Sequence, residues 1–141
     1  MSLAQVARAY TSAADQLASN FGLSQAAAWP AVMIGRMGES GVRPGVVAEM
    51  LNLEPSSVVR LIEQLIDYGL VERHDDPNDR RAKLLFLTKD GKVKVEQIEN
   101  AMLPFRRNLL KGVSVADLEA CQRVLDALRA SIKRYEESSN L

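Results

Sequence analysis

Residues 51–87 read LNLEPSSVVRLIEQLIDYGLVERHDDPNDRRAKLLFL, and this stretch decides the fold. Its first half predicts an amphipathic helix beginning at Glu54-Pro55, because proline suits the first helical position, where its missing N–H costs no hydrogen bond. Apolar residues recur three and four positions apart and form one stripe: Val58, Leu61, Ile62, Leu65 and Ile66. Gly69 then ends the helix at a position that favours a positive φ.

Two short apolar runs follow, Leu70–Arg73 and Lys83–Leu87, and both are typical of β-strands. Between them, DDPNDRR at residues 75–81 is rich in residues that favour turns. Upstream, Val46–Leu51 has the pattern of a short helix, and Leu51-Asn52-Leu53 makes a tight turn into the amphipathic helix. Helix, turn, helix, strand, charged loop and strand together predict a winged helix-turn-helix module.

Further helices are predicted on both sides of this module. The first covers residues 3–21, the second Gln25–Met37 with Ser24 as its N-cap, and two more begin after caps at Thr88 and Ser114. The first, fifth and last helices have apolar residues at alternating spacings of three and four, as in helices that pair. A small winged helix does not need these helices for its own core, so they predict a dimerisation layer. For the first helix, docking on the core of its own chain is an equal alternative.

The expected fold is therefore mainly α-helical with a small β-hairpin. Its predicted division is a dimerisation helix at residues 1–22, the winged helix-turn-helix DNA-binding module at 23–91, and dimerisation helices at 92–141.

Composition narrows the class of protein. Lys and Arg number 18, as do Asp and Glu, and the resulting net charge of zero counts against DNA binding through a broadly basic surface. No apolar run approaches the roughly 18 residues of a membrane span, and the N-terminus lacks the pattern of a signal peptide. The single cysteine, Cys121, fits a reducing compartment, so a cytoplasmic location is expected. Cys121 belongs to the row of apolar residues on the last helix, called its seam below, and this place predicts a small buried hydrophobic residue.

Catalytic, metal and cofactor sites are not expected. His74 is the only histidine and so lacks a local partner for a zinc site, and its expected place is the surface at a strand end. Asp75, Asp76 and Asp79 lack the spacing of a calcium loop. No Gly-rich phosphate loop is present. These observations argue against an enzyme.

Residues 55–91 resemble the MarR family of bacterial transcription regulators. The motifs that carry the resemblance are the Pro-Ser-Ser helix start at 55–57, Arg60, GLVER at 69–73, Asp76-Pro77, Asp79-Arg80-Arg81 and Leu87-Thr88. The resemblance implies a homodimer that binds double-stranded DNA at a pseudo-palindromic operator. It further implies a repressor that a small-molecule effector releases from that operator.

On this interpretation the first turns of the helix at 55–67 contact DNA. Ser56 and Ser57 can bond base edges or phosphates. Val59 faces outward, where its methyl groups could contact a thymine methyl, although MarR relatives often have threonine there. Arg60 could pair with guanine or phosphate, and the alternative is an ion pair with Glu63.

The charged loop supplies the remaining candidate contacts. The resemblance implies that Arg81 enters the minor groove and that Asp79 orients it. Arg80 and Lys83 are candidate phosphate contacts, and Arg43, ahead of the short helix, completes the set. The alternative for the loop is a solvated hairpin turn.

The resemblance also implies a crevice for small aromatic or phenolic effectors between the dimer layer and the winged helix. Candidate lining residues are Tyr10, Trp29 and Met33, with Arg36 as a cation for an anionic ligand. The alternative is plain core packing around Trp29. Some members sense peroxide through a cysteine in the first helix, and its absence here disfavours a redox sensor.

A second class of function stays open, a winged-helix protein–protein adaptor that does not bind DNA. The zero net charge and the acids Glu54, Glu63 and Asp67 on the same helix favour it. A salt-dependent DNA-binding assay separates the two classes, because phosphate contacts release counterions.

Overall fold

The structure is a computed structural model that describes residues 2–23 and 25–139. Its elements are α1 (Leu3–Ser19), α2 (Gln25–Arg36), α3 (Pro44–Leu51), α4 (Pro55–Asp67), β1 (Val71–Asp76), β2 (Asp79–Leu87), α5 (Lys89–Leu109) and α6 (Val115–Ser139). The predicted fold class, mainly helical with one hairpin, is confirmed. The predicted cap Ser24 lies outside the described residues. The chain divides into two compact units, Met1–Phe105 and Arg106–Leu141.

The predicted amphipathic helix is α4, and its apolar stripe is buried as expected except at Ile66, which is half-buried. Pro55 is its first residue, and Gly69 just beyond it has a φ of 72°. The largest fully buried side chains are Leu65 of α4, Val71 of β1 and Leu85 of β2. The core of the first unit therefore includes α4 and the base of the hairpin. These contacts hold the base of the hairpin in place beside α4.

The two strands of the hairpin extend beyond the apolar runs from which they were predicted. β1 continues to Asp76 and β2 begins at Asp79, so only Pro77 and Asn78 remain as the turn. The antiparallel register runs from Val71 opposite Leu87 to Asp76 opposite Asp79, with an irregularity between Asp75 and Asp76. Polar residues extend both strands because main-chain pairing does not require apolar side chains.

Thr88 joins the end of β2 to α5 and confirms the predicted cap. Its hydroxyl accepts a hydrogen bond from the Gly91 N–H at 2.9 Å and donates one to the Gly69 carbonyl at 2.6 Å. A Cβ on Gly91 would lie 2.0 Å from the Leu70 carbonyl oxygen. The first turn of α5 is thus held directly against the beginning of β1.

Two helices near the N-terminus refine the sequence expectations. α1 ends at Ser19; Ala14 and Ala18 are buried whereas Leu3 and Val6 are exposed, so only its second half docks on the core. α3 begins two residues earlier than predicted, at Pro44, because proline again occupies the first helical position.

The second unit contains α6, and most residues of its apolar seam are exposed. Ser114 caps it by accepting a hydrogen bond from the Asp117 N–H at 3.1 Å. None of its described residues is buried, and Leu125, Leu128, Ile132 and Tyr135 are exposed. The expectation of a buried Cys121 is wrong for the single chain, because its thiol lies on this exposed helix. Within the described residues, no helix is long and apolar enough to cross a membrane.

Candidate nucleic-acid interface

The outward face of α4 presents short polar side chains, one isolated apolar residue and one cation. Ser56, Ser57 and Arg60 are exposed. Val59 lies among them with 59% of its surface exposed, although exposure of an apolar side chain to water is unfavourable. This combination of hydroxyls, a methyl-rich group and a guanidinium matches the donors and apolar contacts that read base edges in the major groove.

Arg60 does not form the ion pair with Glu63 that was the alternative to DNA contact. Glu63 Oε1 instead lies 2.6 Å from Arg73 Nη2 of β1. No salt bridge of Arg60 occurs in the described part of the chain. Arg60 therefore offers its charge to solvent or to a ligand.

The hairpin, from Val71 to Leu87 and called the wing below, exposes two arginines near its tip. Arg80 and Arg81 are both exposed. The Arg81 backbone N–H donates to Asp79 Oδ1 at 3.0 Å. Asp79 thus shapes the main chain from which Arg81 projects, and no ion pair between these two side chains occurs within residues 2–23 and 25–139.

Lys83, a predicted phosphate contact, is engaged within the wing. Its ammonium is hydrogen-bonded to the Asp75 carboxylate across the two strands. This bond holds the pKa of Asp75 below its ordinary value of 3.8, with the Lys83 charge as a further cause. A phosphate at Lys83 would have to compete with Asp75.

Arg43 is likewise engaged by a side chain of the wing. Its Nη2 lies 2.7 Å from Oδ2 of Asp76, a residue only 6% exposed. The other oxygen of Asp76 accepts a hydrogen bond from the Asn78 N–H at 2.9 Å. Asp76 was not among the predicted contacts, although an aspartate in a turn often accepts a hydrogen bond from the backbone N–H two residues further along.

His74 lies within β1 rather than at a strand end. Its Nε2 is 3.0 Å from Glu72 Oε1, and its ring meets the ring of Phe86 edge-on at 5.2 Å. Among the described residues, no group of three or more His, Cys, Asp and Glu side chains could hold a metal ion.

Of the four predicted effector residues, Arg36 and Trp29 line different clefts of the described structure. Tyr10 packs against Phe105, with 6.0 Å between ring centroids. The Arg36 guanidinium carbon lies 5.3 Å from the centre of the Trp29 ring. Met33, between them on α2, is half-buried.

Arg36 borders a cleft of about 470 Å³ within the first unit. Its Nε is 2.8 Å from Oε1 of Glu99 on α5, which also lines the cleft. The other lining residues come from α2, the α2–α3 connection, β2 and α5: Val32, Ile34, Gly35, Gly38, Glu39, Phe86, Leu87, Lys92, Val95, Glu96 and Asn100. Trp29 lines a separate cleft of about 370 Å³ with Thr11, Asp15, Ala26, Pro30, Leu51, Leu53 and Leu61.

Comparison with known proteins gives a consistent result. A sequence model of the MarR family matches residues 21–82. The transcriptional regulator PA3341 is 31% identical with a TM-score of 0.83, and the alignment covers 94% of this chain and 96% of that one.

Two more distant structures share the fold. CouR from Rhodococcus jostii RHA1, bound to p-coumaroyl-CoA, is 24% identical with a TM-score of 0.81, covering 89% of this chain and 87% of that one. MepR of S. aureus in complex with DNA is 20% identical with a TM-score of 0.83, covering 91% of each chain.

Proposed function

Because this chain belongs to the MarR family and is a DNA-binding transcription regulator rather than an enzyme, we propose that it acts as a homodimeric repressor. It binds a pseudo-palindromic operator on cytoplasmic DNA and leaves it when a small aromatic or phenolic effector binds. The observation that carries the proposal is the joined surface of α4 and the wing. The exposed Arg60 on α4 and the exposed Arg81 on the wing belong to two elements linked by the Glu63–Arg73 ion pair.

α4 is the proposed reading helix. Ser56 and Ser57 in its first turn bond phosphates or base edges, and Val59 contacts a thymine methyl. Arg60, one turn further along, pairs with guanine or with phosphate. The polar and apolar contacts together provide base preference without a basic surface, which agrees with the zero net charge.

The wing is the proposed second contact. Arg81 enters the minor groove, where a narrow A·T-rich groove concentrates negative potential. Asp79 positions Arg81 through its bond to the Arg81 N–H. Arg80 bonds a phosphate; Lys83 and Arg43 do so only by sharing or leaving their carboxylate partners.

A second copy of the chain is the proposed cover for the exposed seam of α6. A 25-residue helix with no buried residue lacks the packing that stabilises most protein helices. The exposed first half of α1 offers further apolar surface, including Leu3 and Val6. We retain residues 1–22 and 92–141 as the dimerisation helices and 23–91 as the DNA-binding module.

The proposed effector site is the cleft beside Arg36. Phe86 provides an aromatic wall, and Arg36 and Lys92 provide cations for a ligand carboxylate. An anionic ligand would compete with Glu99 for Arg36 and so loosen a bond between α2 and α5. The crystal structure of CouR, which shares the fold, has p-coumaroyl-CoA bound. Release of DNA then requires that the ligand prefer a state that no longer fits the operator.

Selection of bound fragments from a random or genomic DNA pool tests the proposal. The selected sequences should converge on a pseudo-palindrome whose half-sites lie about 10 bp apart, one turn of the double helix. Failure to enrich any sequence would favour the adaptor alternative. The exposed acids Glu54 and Asp67 still favour that alternative, whereas Glu63 is paired with Arg73.

A further inference from the structure

The segment at residues 41–43, immediately before α3, lies directly on β2 of the wing. The Val42 N–H donates to the Leu85 carbonyl at 3.0 Å, and the Leu85 N–H donates to the Val42 carbonyl at 2.8 Å. Gly41 has a φ of 84°, and a Cβ there would lie 2.6 Å from Cζ of Phe86. A side chain at position 41 would therefore displace the Phe86 ring, and the two Val42–Leu85 bonds form an isolated antiparallel bridge that fixes the segment to β2.

The same segment reaches β1 through the side chain of Arg43. Arg43 occupies the N-cap position of α3, yet its side chain makes no capping hydrogen bond. The side chain instead places Nη2 at 2.7 Å from Asp76 Oδ2, across 33 residues of sequence. The beginning of α3 is therefore bonded to both strands of the wing.

Asp76 anchors the end of β1 that lies farthest from the core. Along β1 only Val71 and Asp76 are buried, and the four residues between them are exposed. Both carboxylate oxygens of Asp76 are occupied, one by Arg43 and one by the Asn78 N–H. The Asn78 bond, followed by the Arg43 bond, lowers the pKa of Asp76 from its ordinary value of 3.8, so the carboxylate is ionised at neutral pH.

We propose that Arg43 and Asp76 form a positioning pair that sets the direction of the wing tip relative to the helix-turn-helix. A two-stranded hairpin is marginally stable by itself, and the irregularity at Asp75/Asp76 allows it to bend. The pair restricts that bend and holds Arg81 where the minor groove lies. This inference rests on the proposed function and assigns Arg43 an action through Asp76 rather than through DNA.

A direct phosphate contact is the competing role for Arg43, whose side chain is 51% exposed. The two roles differ in what they require of Asp76. If Arg43 binds phosphate, loss of the Asp76 charge leaves Arg43 free and binding unchanged or tighter. If the pair positions the wing, loss of either partner has the same effect.

The binding test uses Arg43→Gln, Asp76→Asn, the double variant and each single change combined with Arg81→Ala. Asp76→Asn keeps an oxygen for the Asn78 N–H and removes both the charge and the second oxygen, which accepts from Arg43. Each single change should weaken operator binding by roughly three- to thirty-fold. The double variant should be no weaker than the singles, and neither change should add to the effect of Arg81→Ala. An effect of Arg43→Gln without an effect of Asp76→Asn, or effects that persist beside Arg81→Ala, would overturn the positioning role.

A measurement on the DNA-free protein keeps this inference separate from the proposed function. Spin labels at Gln64→Cys on α4 and Arg80→Cys on the wing, in a Cys121→Ser background diluted with unlabelled chain, report the wing direction by pulsed EPR. Arg43→Gln and Asp76→Asn should shift or broaden the distance distribution, and the surface control Arg8→Gln should not. An unchanged distribution would refute the pair, whereas absence of DNA binding by the unmodified protein would refute only the proposed function.

Discussion

Glu63 of α4 is bonded to Arg73 of β1, with 2.6 Å between Oε1 and Nη2. Both side chains are nearly half exposed, so the pair contributes only about 0–1 kcal/mol to stability. Its larger consequence is electrostatic, because the pair neutralises an acid one turn from Arg60. A helix that carries more acids than bases in sequence thus presents an unopposed guanidinium on this part of its surface.

Replacement of Arg60 tests base reading by α4. Arg60→Ala should weaken binding to the preferred operator by ~1–3 kcal/mol and reduce the preference among operator variants. The matched control is Arg8→Ala, which removes one exposed positive charge on α1. Competition binding with single-base operator variants provides the measurement, and an equal loss for Arg8→Ala would mean that Arg60 acts only as a general charge.

Replacement of Arg81 tests the wing. Arg81→Ala should weaken binding to all operators, because the contact depends on groove width rather than on a base edge. Changing A·T pairs to G·C under the wing should then weaken the unmodified protein and have little effect on the variant. Unaltered affinity of the variant would identify the loop as a solvated turn.

The exposed seam of α6 predicts an obligate two-fold dimer. Light scattering at micromolar concentration should give twice the 15.5 kDa mass of the chain. Leu128→Glu should produce monomers and abolish tight operator binding, because a charge in an apolar interface lacks a partner. The neighbouring change Arg129→Ala should leave the dimer intact. An unmodified chain that is a monomer in light scattering would refute the proposed dimer.

Acid should destabilise the protein partly through Asp76. Its pKa is lower in the folded chain than the ordinary 3.8, so ionised Asp76 stabilises the fold above that pH. This contribution is lost as the pH falls from there through the folded pKa. Urea unfolding at fixed protein concentration should show a smaller loss of stability between about pH 6 and pH 3 for Asp76→Asn than for the unmodified chain. Asp67→Asn is the control, and equal losses for the unmodified chain and Asp76→Asn would contradict the expectation.

Effector binding should be visible through Trp29, the only tryptophan. Arg36 lies over the Trp29 ring, so a carboxylate that draws Arg36 away should change the emission of Trp29 as operator DNA is released. Titration with aromatic carboxylates and phenols measures both signals together, and Arg36→Gln should weaken the response to carboxylates. Release without a change in emission would locate the site elsewhere. Peroxide-induced release that disappears in Cys121→Ser would indicate a thiol switch instead.

Local signals accounted for much of the fold. The limits of α4, the positive φ at Gly69 and the cap at Thr88 all depend on residues within a few positions of one another, and each was predictable. The length of the hairpin was not, because polar strand residues such as Asp75 and Lys83 find their partners only across the pair of strands.

The site was less predictable where contacts join distant segments. Arg43 was expected to contact DNA, and its bond to Asp76 could not be read from either local pattern. Arg36 and Trp29 lie near each other on α2, yet they line different clefts because β2 and α5 border one and α1 and α4 the other. Cys121 was expected to be buried because a helical seam does not reveal whether its cover belongs to the same chain.

The salt dependence of binding to the selected duplex tests sequence-specific DNA binding most directly. Fluorescence anisotropy with a labelled operator should show a linear fall of log K with log salt concentration, with a slope of about −0.9 for each phosphate contact. A duplex with scrambled half-sites should bind far more weakly at every salt concentration. Absence of binding, or equal affinity for the operator and the scrambled duplex, would contradict the account and favour a protein–protein adaptor.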